Sequence, residues 1–251
     1  MLLRPDGDDA CVAIGQASHA WLSGQLARAW GNDTFAAPAP REEVCLAAEQ
    51  HDIGMAAWDL TPDRHPDTGL PREFFSMDRR THLALWTRAP ELVLTQSRYA
   101  ALLVSLHGTG LYERFPPREG DPEIARLVQE YLDGQRALQA RLTAEVGATP
   151  QELRRNRALL AIWDDLSLAL CRDVVPHAVV AFPGTGEPLA SLRIERAGEA
   201  LTLEPWPLAV DRLELRADGR RLVGRFDDAP ALHAALQAAP HVALSIALVR
   251  G

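Results

Sequence analysis

Residues 47–59 read AAEQHDIGMAAWD, and how this stretch is taken decides the reading of the fold. Val44, Ala47, Ala48, Met55 and Trp58 fall at helical spacing about His51, which predicts a helix over 42–58 whose apolar stripe carries an imidazole. The pattern recurs on both sides of it. His19 shares a face with Leu22, Leu26 and Trp30, His82 with Leu85 and Trp86, and His107 with Ala100, Leu103, Val104 and Leu111. Asp164 lies on the stripe Leu160, Ala161, Leu168 and Cys171. A carboxylate facing a core is costly without a cation or several donors. One such histidine, taken alone, is more often a hydrogen-bonded core residue than a ligand. Inward polar positions on five separate helices are met more simply by one cation cluster than by independent buried solutions.

Working outward, helical periodicity predicts helices over 16–30, 42–58, 77–93, 97–113, 121–146 and 150–172. Between the second and third lies DLTPDRHPDTGLPREFF (59–75), too long for a simple connector and a candidate lid. Residues 1–15 read as two short strands about an Asp-Gly turn. After residue 173, SLRIERAG, EALTLEP, DRLELRADG and RRLVGRFD read as short strands separated by turns. A helix over 229–239 and a last strand over 242–249 close the chain. The expected fold is mainly α: a helical bundle over 16–172 with a small β-rich subdomain over 173–251. The strands of 1–15 join that C-terminal sheet, since a lone hairpin is rarely stable.

The chain has 251 residues and a net charge of −8, which argues against a broad nucleic-acid-coating or anionic-membrane surface. No apolar run approaches the ~20 residues that span a bilayer, and MLLRPDGDDA lacks an apolar signal core. Cys11, Cys45 and Cys171 are odd in number and form no CxxC pair, which fits a reducing cytoplasm and excludes a thiolate zinc knuckle. There is no lysine, so a phosphate-loop lysine, a Schiff base and a lysine general base are all excluded.

His51 and Asp52 are adjacent, and with His19 upstream and Asp164 downstream, in WDDLSL (163–168), the chain resembles the HD-domain superfamily of metal-dependent enzymes. The order His19, His51–Asp52, His82, His107, Asp164 is similar to the six-ligand pattern of its dinuclear members. The phrases AAEQHDIGMAAWD, LLVSLHGTGLYER (102–114) and WDDLSL also resemble a bacterial family of unknown function with such a helical body and a β-rich end. The resemblance covers residues 16–172 and implies an HD-domain-like bundle. It implies two divalent ions bridged by Asp52, with His19, His51 and Asp164 on one and His82 and His107 on the other. Where many relatives read HD-x-G-Lys, this chain has Met55, so handling of phosphate passes to arginine or is absent.

A His/Asp set without cysteine favours Fe or Mn over Zn. Beyond the ligands, Asp59 is a candidate proton carrier or ligand-orienting partner, although a surface acid at a helix end explains it equally well. Arg79, Arg80 and Arg88 bracket His82 and are candidates for phosphate, Arg88 above all; a solvated helix face explains them at least as often. Gln16, one turn before His19, is a candidate substrate contact. The leading expectation is a metal-dependent phosphohydrolase of a small, anionic, phosphorylated substrate, working without nucleic acid or membrane. Alternatives are a diiron oxygenase of a small polar substrate and a non-catalytic, metal-stabilised regulatory or binding protein.

Overall fold

The computed structural model describes residues 1–115, 121–182 and 190–251. Its helices are α1 (Gln16–Ala29), α2 (Arg41–Gln50), α3 (Ala56–Leu60), α4 (Arg79–Leu94), α5 (Arg98–Arg114), α6 (Pro122–Val146), α7 (Pro150–Arg172) and α8 (Ala229–Ala238). The strands are β1 (Leu2–Pro5), β2 (Ala10–Ile14), β3 (His177–Phe182), β4 (Ala190–Ala197), β5 (Ala200–Glu204), β6 (Arg212–Val223) and β7 (His241–Arg250). Local chemistry sets the two longest helices. The Asp121 side chain accepts the first free amides of α6, and Gly147 ends it in the left-handed conformation. Thr149 and Glu152 form a reciprocal capping box at the start of α7, with Pro150 in its first turn.

The strands form one seven-stranded sheet in the order β1-β2-β6-β7-β5-β4-β3. Neighbours are antiparallel except β5 and β7, which run parallel. This overturns the expected mainly α bundle with a small β-rich subdomain: the protein is an α+β fold with a mixed sheet of substantial size. The difference turns on Asp218-Gly219, a turn by its residue types. The backbone instead runs straight through it as the twelve-residue β6. Gly219 pairs with Ile14 on one side and Val242 on the other. A Cβ there would lie 2.5 Å from Val12 Cγ1, so this glycine permits close approach inside a sheet and makes no turn.

The sheet is bound into the helical body. Ser18 Oγ donates to the Asp218 carbonyl at 2.7 Å. Gln25 exchanges a pair of hydrogen bonds with the Arg216 backbone, at 2.8 and 3.0 Å. These clips fix α1 along β6. Leu2 and Ile14 from the strands share one hydrophobic core with Leu22 and Leu26 of α1, Trp30 just after it and Trp163 of α7. Among the described residues, no helix is long and apolar enough to cross a membrane.

Two segments differ from their sequence reading in ways that bear on the site. The helix expected over 42–58 is interrupted: α2 ends at Gln50, Asp52 leaves helical geometry (φ −105°, ψ 15°), and a 3-10 turn over Ile53–Met55 leads into α3. The candidate lid, 59–75, is tied down along its length. Pro62 O accepts from His233 Nε2 at 2.9 Å, Phe226 N donates to Gly69 O at 3.1 Å, and Phe74 N donates to Met1 O at 3.1 Å.

Candidate metal centre

The break after α2 brings His51 and Asp52 to one point. In an unbroken helix consecutive side chains project about 100° apart and do not meet. Here the two turn inward together, with His51 Nε2 3.7 Å from Asp52 Oδ2. Gly54 makes the break possible, since a Cβ on it would lie 2.5 Å from the Leu85 carbonyl of α4. α1 supplies His19 one turn after its start, α7 supplies Asp164 and α5 supplies His107. Gly24 lets α1 lie close on α2, where an added Cβ would meet Glu49 Cβ at 2.8 Å. Ser23 Oγ holds α1 to α7 through Ser167 Oγ at 2.8 Å and the Trp163 carbonyl at 3.1 Å.

Five side chains converge. His19 Nε2 lies 3.2 Å from Asp52 Oδ2 and 3.5 Å from Asp164 Oδ1. His51 Nε2 lies 3.3 Å from Asp164 Oδ1, and His107 Nε2 lies 3.4 Å from Asp164 Oδ2. One ligand atom each from His19, His51 and Asp164 fit within 4.8 Å of one another. Ligand atoms about 2.0–2.2 Å from a shared ion stand roughly 3.0–3.6 Å apart; the separations of 3.2–3.5 Å fall in that range, and His51–Asp52, at 3.7 Å, lies just beyond it. His19 and His51 are wholly buried, and Asp52 nearly so. His51 Nδ1 donates to the Ala48 carbonyl at 2.8 Å, which turns the Nε2 lone pair towards the carboxylates. Imidazole lone pairs and carboxylate oxygens facing one another require a cation or a shared proton, so the donor set fits a divalent ion.

The charges within the cluster are strongly coupled. Burial disfavours a charged His51, but Asp52 and Asp164 outweigh it and raise its pKa to about 9. Burial likewise works against an ionised Asp164, yet the hydrogen bond and charge of His51, then His107 and His19, hold it below the ordinary carboxylate range. Burial, followed by the charge of His51, lowers His19 to about 3, and burial lowers His107 to about 4. Asp52 is raised by burial to about 7. Without an ion these shifts favour a proton shared between His51 and Asp164, and a bound divalent ion would take that proton's place.

Of the remaining sequence candidates, Gln16, Arg79 and His82 line the cavity over the cluster, whereas Asp59, Arg80 and Arg88 lie outside it. His82 faces Tyr112 and Trp86: its Nδ1 meets the Tyr112 hydroxyl, and its Nε2 accepts from Trp86 Nε1 at 3.2 Å. The Trp86 ring stands between it and His107, 5.6 Å from the latter. Asp59 is buried, holding the Met1 amino group at 2.8 Å and accepting the backbone N–H of Gln16; burial raises its pKa. It orients the start of α1 and is not in the cluster. Gln16 is buried and donates to Asp52 Oδ2 at 3.1 Å. Arg88 is exposed on α4, and Arg80 pairs with Glu123 on the surface at 2.7 Å.

Above the cluster opens a cavity of about 820 Å³. His19, Asp52, His107 and Asp164 line it at the cluster, Met55, Trp86, Leu111 and Leu168 contribute apolar wall, and Arg79, Arg114 and Arg157 supply positive charge beside the carboxylates of Glu113 and Asp165. The loop 59–75 reaches this cavity only through its end, at Phe74 and Phe75. Arg114 and Arg157 escaped the sequence reading because each lies on a helix face with no distinguishing pattern. The one available signal was the pair of glycines inside a helical run, Gly108 and Gly110, which marks close approach by something. At Gly108 it is Trp86 and Tyr131, whose atoms would lie 2.7 and 2.4 Å from a Cβ.

A family model described as "Protein of unknown function (DUF3891)" matches residues 1–223, a span that contains every residue of the cluster. No curated protein and no solved structure matches the chain.

Proposed function

The chain belongs to the DUF3891 family, and we propose that its His/Asp cluster holds a divalent metal ion with which it hydrolyses a small phosphorylated molecule. One observation carries the reading: buried imidazole and carboxylate acceptor atoms from α1, the α2 break and α7 face one another at 3.2–3.7 Å beneath an open cavity. The residues that would hold the ion are His19, His51, Asp52 and Asp164, with His107 on the second oxygen of Asp164. Their order along the chain is the one that the resemblance to the HD-domain superfamily implies. The cysteine-free donor set favours Fe or Mn over Zn. A bound divalent ion supplies Lewis acidity and brings the pKa of water down towards neutrality.

The chain's own groups do the rest. Gln16 holds Asp52, and the Ala48 carbonyl holds His51, so the donors are oriented in advance. Two carboxylates balance the formal charge of one divalent ion, and the attraction for an anion then falls to the arginines around the cavity. His82, Trp86 and Tyr112 make a hydrogen-bonded wall of the cavity on the α4–α5 side.

Element-specific analysis of freshly purified protein, combined with a phosphoester panel, tests the reading. We expect about one Fe or Mn per chain, turnover that a chelator abolishes, and loss of both in His51→Ala. Metal-loaded protein that hydrolyses no member of the panel overturns the proposal. Two irons with an oxygen-dependent spectroscopic change would move the site to oxygenase chemistry.

A further inference from the structure

Arg157 occupies an unusual position. It projects from α7 across the backbone of α5 at Gly110, where a Cβ would stand 2.6 Å from its Nη2, 3.2 Å from Nε and 3.3 Å from Cζ. The guanidinium thus lies against bare helix backbone. A mid-helix glycine is unfavourable against alanine, and at Gly110 the guanidinium takes the space that a side chain would fill. Glu113 Oε2 accepts from Arg157 Nη2 at 2.9 Å, fixing one corner of the fork. Arg157 lines the same cavity as His107 and Asp164, and its charge is among those that act on His107. The other two arginines of the cavity are laid over rings, Arg79 over Tyr112 at 5.7 Å and Arg114 over Phe115 at 5.2 Å.

We infer that Arg157, cleared by Gly110 and steadied by Glu113, is the anchor for the phosphoryl oxygens of the substrate, a specificity-determining residue that sets its position over the His/Asp cluster. The inference rests on the phosphohydrolase reading and adds the group that recognises the anion. The chemistry is that of a planar fork meeting a tetrahedral oxyanion through parallel charge-assisted hydrogen bonds. The Arg157–Glu113 pair is half exposed, with side chains 40% and 45% accessible, so it holds the fork in place weakly enough to yield to a doubly charged ligand. Glu113 also lies 3.8 Å from Arg136, a second cation that keeps it partnered when phosphate competes for Arg157 Nη2.

The test is calorimetric binding of inorganic phosphate to the metal-loaded chain, in wild type, Arg157→Gln, Arg157→Lys and Gly110→Ala, each checked for metal content and helicity. We expect Arg157→Gln to weaken phosphate binding by about tenfold to a hundredfold, the scale of a charge-assisted hydrogen bond, with metal content unchanged. Arg157→Lys restores part of the affinity, because it returns the charge without the fork. Gly110→Ala keeps both charge and helix but displaces the guanidinium, so it too weakens phosphate. Wild-type affinity in Arg157→Gln overturns this inference and leaves the phosphohydrolase reading standing. A wild-type chain that takes up metal but binds no phosphate and turns over no phosphoester overturns both.

Discussion

The imidazole of His82 receives the indole N–H of Trp86 on one nitrogen and meets the Tyr112 hydroxyl with the other, so a proton added to it displaces the indole. Burial, then the charge of Arg79, lowers its pKa to about 4, against about 6.5 in an unfolded chain. Between those values the unfolded chain binds the proton and the folded one does not. The stability that neutral His82 contributes is therefore whole above pH 6.5 and is lost as the pH falls towards 4. With chelator present throughout, chemical denaturation at pH 7 and pH 4.5 should show an acid loss that shrinks by ~2–3 kcal/mol in His82→Gln. An equal acid loss in both proteins would mean that this histidine takes up its proton without disturbing the fold.

At the scale of elements, the start of α1 and the break after α2 make the site. α1 has no side-chain cap from its own flanking residue, Gly15; the Asp59 carboxylate, arriving from α3, accepts the Gln16 N–H instead. A Cβ on Gly15 would stand 3.2 Å from that carboxylate, so the residue beneath the cap has to be small. Asp59 acts at a distance as a helix cap and sets where Gln16 and, one turn later, His19 project. Asp59→Ala should cost at least the ~1–2 kcal/mol of a lost cap in denaturation, because the buried Met1 amino group loses its partner as well. It should also weaken metal binding by roughly the 10- to 100-fold typical of groups that orient ligands, read by competition with a chromophoric chelator. Unchanged affinity would leave Asp59 with a purely structural part. Its candidacy as a proton carrier has no support in this geometry, because the carboxylate is engaged away from the cavity over the cluster.

For the molecule as a whole, the proposed ligands tie together segments 145 residues apart, from His19 to Asp164, in a body whose core α1 and α7 share with the sheet. An ion bound only by the folded chain stabilises it by about 4 kcal/mol when its concentration is a thousand times its Kd. Chelation should accordingly lower the unfolding midpoint of the wild type in a single transition, and readdition of Mn or Fe should restore it. In His51→Ala the midpoint should not respond to chelator. A midpoint indifferent to metal in the wild type would count against the whole cluster as a metal centre.

The sequence by itself determined which helices exist and which polar residues turn inward, because a 3.6-residue period and an intolerable lone carboxylate are both local statements. His19, His51, His107 and Asp164 were legible for that reason, as was His82, which stands apart against Trp86 and Tyr112; Asp52 was legible only through its adjacency to His51 and the resemblance. Only the tertiary structure decided the rest. Whether Gly219 turns or extends depends on Val12 and Val242 beside it, and that choice separates a small appendage from a seven-stranded sheet. Whether His51 and Asp52 meet depends on a helix break that Gly54 allows against α4. Whether an arginine serves the cavity depends on which helix crosses which, and nothing within a few residues of Arg157 records that it lies on Gly110.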